Sequence, residues 1–196
     1  MPLFTRSTPP QSTIPPDDSE EALLARIAGA DRGALATLYQ ARHRRLVRFL
    51  SRHTRRQHVI DEVINDTFLV VWQKAGEFRG QSRASTWIMG IAYRCMLKHL
   101  RDHKEMPCAD QAPEEIVLSD SPADLVELHD WLDKGLARLS PEQRDTLELA
   151  YGFGHSLEEI AEITGTAVNT VKSRMFQARI KLANLLPNLG GERKTP

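Results

Sequence analysis

Three things are scarce in this chain. Cysteine occurs twice among 196 residues, at Cys95 and Cys108. That is too few for a secreted disulfide framework, and the pair lacks the Cys-x-x-Cys spacing of a zinc knuckle, which predicts a reduced, cytoplasmic protein. Phe, Trp and Tyr make up only 6% of the residues. With Leu and Ala abundant, that composition favours packed helices over sheets. No apolar run approaches the roughly 18 residues of a membrane span, so no membrane insertion is expected. Met1 to Asp18 is rich in Pro, Ser and Thr and has no apolar stretch; it reads as a disordered tail rather than a signal peptide. No catalytic nucleophile and no Gly-rich phosphate cradle appears, so neither an enzyme nor a cofactor is expected. His99 and His103 stand at i, i+4, a spacing compatible with metal, but no His-Glu-x-x-His motif accompanies them and no metal is expected.

Charge is present but unevenly spread. The net formal charge is zero, yet residues 1–104 carry +7, residues 105–160 carry −11 and residues 161–196 carry +4. Two basic segments flank an acidic one, so a polyanion would be met at two separate places.

The apolar spacing is helical throughout, and no strand-like alternation occurs. Asp18 with Glu21 resembles a capping box that starts a helix near Ser19. Asp31 caps a longer helix with Leu35, Leu38, Tyr39, Leu46, Phe49 and Leu50 on one face and Arg42, Arg44, Arg45, Arg48, Arg52, Arg55 and Arg56 on the other. A third helix spans about Val59 to Glu77, with Ile60, Val63, Ile64, Phe68, Val71 and Trp72 inward or at a contact face. Phe78 to Ser82 reads as a loop. A fourth helix spans about Ala84 to His103, carrying Trp87, Ile88, Ile91, Leu97 and Leu100.

Pro107, Pro113 and Pro122 punctuate the acidic stretch, which reads as a flexible linker over 105–122. Leu125, Leu128, Leu132, Leu136 and Leu139 then open a second domain, and Ser140-Pro141 starts its next helix, with Gly152 and Gly154 ending it. Ser156, with Glu159 completing a capping box, starts a short helix with Leu157, Ile160 and Ala161 inward. Thr164-Gly165-Thr166 is a tight turn. A second helix runs from Ala167, burying Val168, Val171, Met175, Ile180 and Leu182. Asn169, Thr170, Lys172, Ser173, Arg174, Gln177 and Lys181 point outward. This is the grammar of a helix-turn-helix, whose second helix places polar and basic side chains in the major groove.

Ser156-Leu157-Glu158-Glu159-Ile160-Ala161, with Thr170-Val171-Lys172-Ser173-Arg174 and Ala178-Arg179, resembles region 4 of the extracytoplasmic-function (ECF) sigma factors of bacterial RNA polymerase, in the sigma-70 family. Asp61-Glu62-Val63-Ile64-Asn65-Asp66-Thr67-Phe68 with Trp72 and Lys74 is similar to the family's region 2.2. Phe78-Arg79-Gly80 and Ser85-Thr86-Trp87-Ile88 with Ile91-Ala92 resemble its regions 2.3 and 2.4. The resemblance runs from about Glu20 to Leu186, with region 3 missing as in this group.

The resemblance implies an all-α protein of two helical domains joined by a flexible acidic linker. The parts are a tail at 1–18, a region 2 bundle at 19–104, a linker at 105–122, a region 4 helix-turn-helix at 123–188 and a tail at 189–196. It implies that Asp61, Glu62, Asp66, Phe68, Trp72 and Lys74 dock on the polymerase β′ clamp helices, and that the β flap is a further contact. It implies that Gly80, Gln81, Ser82 and Arg83 take a flipped base of the −10 element while Arg94, Lys98 and Arg101 follow the strand. It assigns the −35 duplex to Asn169, Thr170, Lys172, Ser173, Arg174, Phe176, Gln177 and Arg179, and it implies an anti-sigma factor as a further partner. Three positions depart from the family's pattern. Tyr93-Arg94 stands where the family often has Arg-Asn, Ala167 where many members have Ser or Pro, and Asn169 where Gly is common. Two other readings stay open: a helix-turn-helix regulator acting without polymerase, and a sigma-like protein–protein adaptor.

Overall fold

The computed structural model describes residues 19–102 and 135–189, with side chains up to Asn184. The tail at 1–18, the acidic linker at 105–122 and the last residues, 190–196, lie outside the described residues, as do Leu125, Leu128, Leu132 and His103.

The N-terminal half is four helices. α1 is Glu20–Ala28, and its cap is Ser19, whose hydroxyl accepts from the Ala22 amide at 3.1 Å. The start is where the Asp18–Glu21 pattern placed it, but the capping side chain is one residue later. α2, Arg32–Leu50, is capped by Asp31, which accepts from the Gly33 and Ala34 amides. α3, Gln57–Lys74, stops three residues short of the expected end, and Ala75–Glu77 forms one tighter 3₁₀ turn. α4 is Ala84–Asp102. Its first amide is satisfied from a distance, because Glu21 of α1 accepts from the Ala84 N–H.

After the last turn of a helix at 135–137, the described part of the C-terminal half has three more helices. α5, Pro141–Leu147, has Ser140 as cap, Pro141 at its first position and Gln143 closing a capping box. The coil then widens into a π turn at Glu148–Gly152, which the spacing of apolar residues did not indicate. α6, Leu157–Thr164, carries the Ser156–Glu159 capping box and ends at Gly165 with φ +65°. α7 is Val168–Leu189.

The two halves share one core. Leu24, Phe49, Ile64 and Ile88 of the first half are continuous with Leu149, Ile160, Ile163 and Val171 of the second. A smaller cluster of Leu139, Leu147, Met175 and Ala178 holds α5 to α7. α4 is the shared element. Its residues Thr86, Gly90 and Tyr93 fall on one side at helical spacing and face the second half. A methyl group at Gly90 would stand 3.6 Å from the Ile163 Cα, so α6 rests on α4 where a side chain is missing. Thr86 Oγ1 donates to Glu159 at 2.9 Å, and the Tyr93 hydroxyl donates to Asp145 Oδ2 at 2.9 Å. From α2, Arg45 donates to the Phe153 carbonyl at 2.7 Å, and Arg48 lies over the Phe153 ring, 4.7 Å from its centroid. Part of the arginine-rich face of α2 is therefore spent inside the molecule.

Two substitutions separate backbone from packing effects. At Gly165 nothing lies within 4 Å of an added Cβ, so Gly165→Ala meets only the strain of its left-handed backbone. It should lower the unfolding free energy by about 1–2 kcal/mol. Ile163 is fully buried at the junction of the halves. Ile163→Ala should cost about 2–5 kcal/mol. Urea denaturation followed by circular dichroism gives both values, and equal losses would contradict this division.

Candidate nucleic-acid interface

The outer side of α7 is built by the turn before it and the stripe beneath it. Gly165 reverses the chain after α6, and Val171, Met175 and Ala178 are buried at successive turns. Ile180, expected in the stripe, is 45% exposed, and Ala178 takes the buried place. The stripe advances 171, 175, 178, 182, and position 180 falls off it. Asn169, Thr170, Lys172, Ser173, Phe176, Gln177 and Arg179 are exposed, with Phe176 at 65%. Arg174 is half-buried, near enough to Tyr93 for its charge to act there. Two members already have partners inside the chain. Gln177 accepts from Gln143 at 3.3 Å, and the Arg179 guanidinium stacks on the Tyr151 ring and hydrogen-bonds its hydroxyl. Tyr151, at the π turn, was not among the expected site residues.

On α3 the structure gathers most of the expected acidic and aromatic set. At ~100° per residue, Asp61, Trp72, Leu69, Glu62 and Asp66 fall within one arc of the helix. Asp61 and Glu62 are exposed, and Asp66 and Trp72 are half-buried. Phe68 does not belong to this face. It falls about 20° beyond Asp61, at the edge of the arc, but α2 covers that edge, leaving it 5% exposed and 4.8 Å from the Tyr39 ring. Lys74 lies off the arc, 3.6 Å from Glu77. Leu69, 54% exposed, was missed; an apolar residue three positions from both Asp66 and Trp72 was its signal.

The loop after α3 bends at Gly80, with φ +66°. It forms an open pocket lined by Phe78, Arg79, Gln81, Ser82 and Trp87, and Glu162 of the other half closes one wall. Trp87 is half-buried against Phe78, with ring centroids 5.4 Å apart. Arg94, Lys98 and Arg101 are exposed along one edge of α4. Leu97 is 44% exposed beside them. Among the described residues no group of three or more His, Cys, Asp or Glu could hold a metal ion, and His99 Nε2 lies 3.5 Å from Glu62. No described helix is long and apolar enough to cross a membrane.

Residues 38–105 match the family model described as Sigma-70 region 2, and residues 129–182 match Sigma-70, region 4. Over 168 residues the chain is 35% identical to the ECF RNA polymerase sigma factor SigM of Mycobacterium tuberculosis, covering 85% of this chain and 83% of that one. The chain belongs to the ECF sigma factors. It is also 28% identical over 180 residues to SigK of Mycobacterium bovis, covering 85% and 92% of the two chains. A chain in the structure of CnrH in complex with the cytosolic domain of CnrY has the same fold, with a TM-score of 0.62 at 22% identity over 86% of this chain and 97% of that one. The sigma factor RpoE from Bartonella quintana, solved in complex with the anti-sigma factor NepR, gives 0.56 at 26% identity over 76% and 94%. A sigma factor binds core RNA polymerase and promoter DNA, and this one has an all-α fold with both promoter-reading regions.

Between the two regions of this sigma factor lies a buried polar cluster that motif reading did not find. Asp145 is 5% exposed, and its second oxygen lies 2.9 Å from His53 Nε2, while His53 Nδ1 lies 3.1 Å from the Phe49 carbonyl. Both ring nitrogens face acceptors, which only the imidazolium can satisfy. Burial opposes that charge, but the hydrogen bond and charge of Asp145, with Glu148 behind it, outweigh burial and raise the His53 pKa. Burial and the same carboxylate push the Tyr93 hydroxyl upward too. His155 is shifted the other way, by burial first, with Arg45 and Arg42 opposing its charge against the pull of Glu159.

The signs separate the two histidines. Below the ordinary imidazole value of 6.5 the raised His53 contributes its full stabilisation. As pH rises the unfolded chain loses its proton first, and the contribution fades through the raised folded value. The lowered His155 costs stability only as pH falls below 6.5. His53→Gln should therefore flatten the stability loss that the parent shows as pH rises above 6.5. Parallel stability–pH curves for parent and variant over that window would contradict this assignment.

Proposed function

We propose that three surfaces of this sigma factor divide its work. The α3 arc of Asp61, Glu62, Asp66, Leu69 and Trp72 docks on the β′ clamp helices of core polymerase. The loop from Gly80 to Arg83, with Arg94, Lys98 and Arg101 on α4, takes the melted −10 strand. The outer side of α7, led by Asn169, Lys172 and Ser173, reads the −35 duplex. The observation that carries the reading is the pairing of an acidic-apolar arc on α3 with a polar, basic face on α7. A helix-turn-helix regulator acting alone has no use for the first. Acidic side chains around an exposed leucine and a tryptophan form the kind of patch that concentrates interface energy. RNA synthesis itself belongs to the polymerase, so the chain acts as an initiation factor in the cytoplasm and not as an enzyme. Region boundaries at 19–104 and 123–188 fit this division. RpoE from Bartonella quintana binds an anti-sigma factor, and we infer a comparable partner that holds this chain until a signal releases its regulon.

Two experiments test the assignment. Asp61→Arg with Leu69→Arg alters only exposed side chains. It should weaken core polymerase binding by about 30-fold or more, the scale of a ~2 kcal/mol hot spot. Unchanged co-purification with core enzyme would remove the α3 arc from the interface. On α7, Lys172 lies in the first turn and a half, where helix-turn-helix proteins meet bases. Arg179 lies two turns further along. Lys172→Ala should change the preferred −35 sequence, at about 1–3 kcal/mol per lost base contact. Arg179→Ala should weaken all sequences alike and lower the salt slope by about one. Selection from a randomised −35 hexamer by the holoenzyme at two salt concentrations reads both. Parent preference and parent salt slope in both variants would exclude α7 as the reader.

A further inference from the structure

Part of the face of region 2 proposed above to take the −10 strand, Ser82 and Arg83 with the neighbouring Thr86, is engaged here by α6 of region 4. Its contacts are polar, specific and of one chemical kind. Ser82 Oγ donates to Glu162 Oε1 at 2.5 Å. Thr86 Oγ1 donates to Glu159 Oε1 at 2.9 Å, and Arg83 Nε lies 3.8 Å from the same oxygen. Two carboxylates one turn apart on α6 thus collect two hydroxyl donors and a guanidinium from the loop and first turn of α4. Glu162 is also a wall of the pocket that contains Gln81 and Ser82. One turn beyond Thr86, the missing side chain of Gly90 lets the α6 backbone close on α4. The phosphodiester oxygens of a single strand would present anionic acceptors to the same donors.

We propose that α6 is an intramolecular competitor for the −10 strand, with Glu159 and Glu162 standing in for phosphate oxygens, so that region 4 and promoter DNA exclude each other from this surface. The surface has one set of donors and two anionic partners. Burial of Glu159 is offset by the Ser156 amide, the Thr86 hydroxyl and nearby positive charge, and its carboxyl is held below its usual value, so it stays an anion at neutral pH. Deeper in the molecule the two halves also meet through α5, where Tyr93 and His53 close on Asp145.

The inference rests on the −10 reading, and the test keeps the two apart. Glu159→Gln with Glu162→Gln removes both charges. Glutamine serves in a capping box as well as glutamate, so the start of α6 is kept. Glu162→Gln alone is a second variant, exposed and outside the cap. Glu142→Gln with Glu158→Gln removes two charges from exposed positions of region 4, while Ser82, Arg83 and Thr86 are held by Glu162 and Glu159. The full chain, without polymerase, is titrated with a fluorescent single-stranded −10 oligonucleotide and with a scrambled strand of equal length. The Glu159/Glu162 variant should bind the −10 strand about tenfold tighter or more, on the scale of one charge-assisted hydrogen bond released, and Glu162→Gln alone should shift the same way. The control pair should change little. Equal gains in the control and test pairs would make this bulk electrostatics and overturn the proposal, as would no gain in either test variant. In parallel, Gln81→Ala with Arg83→Ala is assayed in the holoenzyme for −10 selectivity. Retained selectivity there sinks the −10 reading itself. Lost selectivity with no gain on releasing the glutamates sinks only the competition.

Discussion

A single buried carboxylate sets the arrangement of this molecule. Asp145 sits at the junction of the two halves with one oxygen facing His53, at the end of α2, and the other accepting from Tyr93, on α4. A buried charge is tolerated only when it is paired and hydrogen-bonded, and removing one partner costs far more than the pair contributes. Asp145 therefore has one acceptable seat. Once it is taken, α5 is fixed against α2 and α4, the π turn brings Phe153 under Arg45 and Arg48, and α6 is laid along α4 where Gly90 leaves room.

That seating decides which surfaces face outward. The α3 arc and the outer side of α7 are open in this arrangement, while Ser82 and Arg83 of the loop and Thr86 in the first turn of α4 are engaged by carboxylates of α6. A sigma factor held this way presents its proposed polymerase-docking surface in full, but the surface proposed for the melted strand only with part of its donors already engaged. The charge pattern of the chain has a matching logic. The acidic middle segment is not merely a solvated stretch, since Glu159, within it, and Glu162, just beyond, meet donors of the basic N-terminal half.

Much of the local structure was legible in the sequence, because caps and turns are short-range chemistry. Asp31, Ser140-Pro141, the Ser156–Glu159 box and the left-handed Gly165 each mark a helix end within a few residues, and the structure uses each of them. Both sigma regions were readable from their motifs. Side chains at the edge of a helix stripe were not. Phe68 is core and Leu69 is not, and Leu97 and Ile180 are exposed although both are large and apolar. Periodicity says which side of a helix is apolar but not how far its neighbour reaches around it. Nothing local marks the polar junction either. His53 and Tyr93 lie 92 and 52 residues from Asp145, and no spacing rule connects them. The Tyr93 departure from the family pattern was visible in the sequence, but its partner was not.

If α6 and the melted strand compete for the same donors, the halves held together by Asp145 and by α6 must part when the factor works on a promoter. The most direct measurement is the distance between labels at exposed Gln73, at the end of α3, and Lys181, on α7. It would be taken in the free chain and again in the complex with core polymerase and promoter DNA. One separation is expected in the free chain and a longer one, with the first population lost, in the promoter complex. The same separation in both states would contradict this.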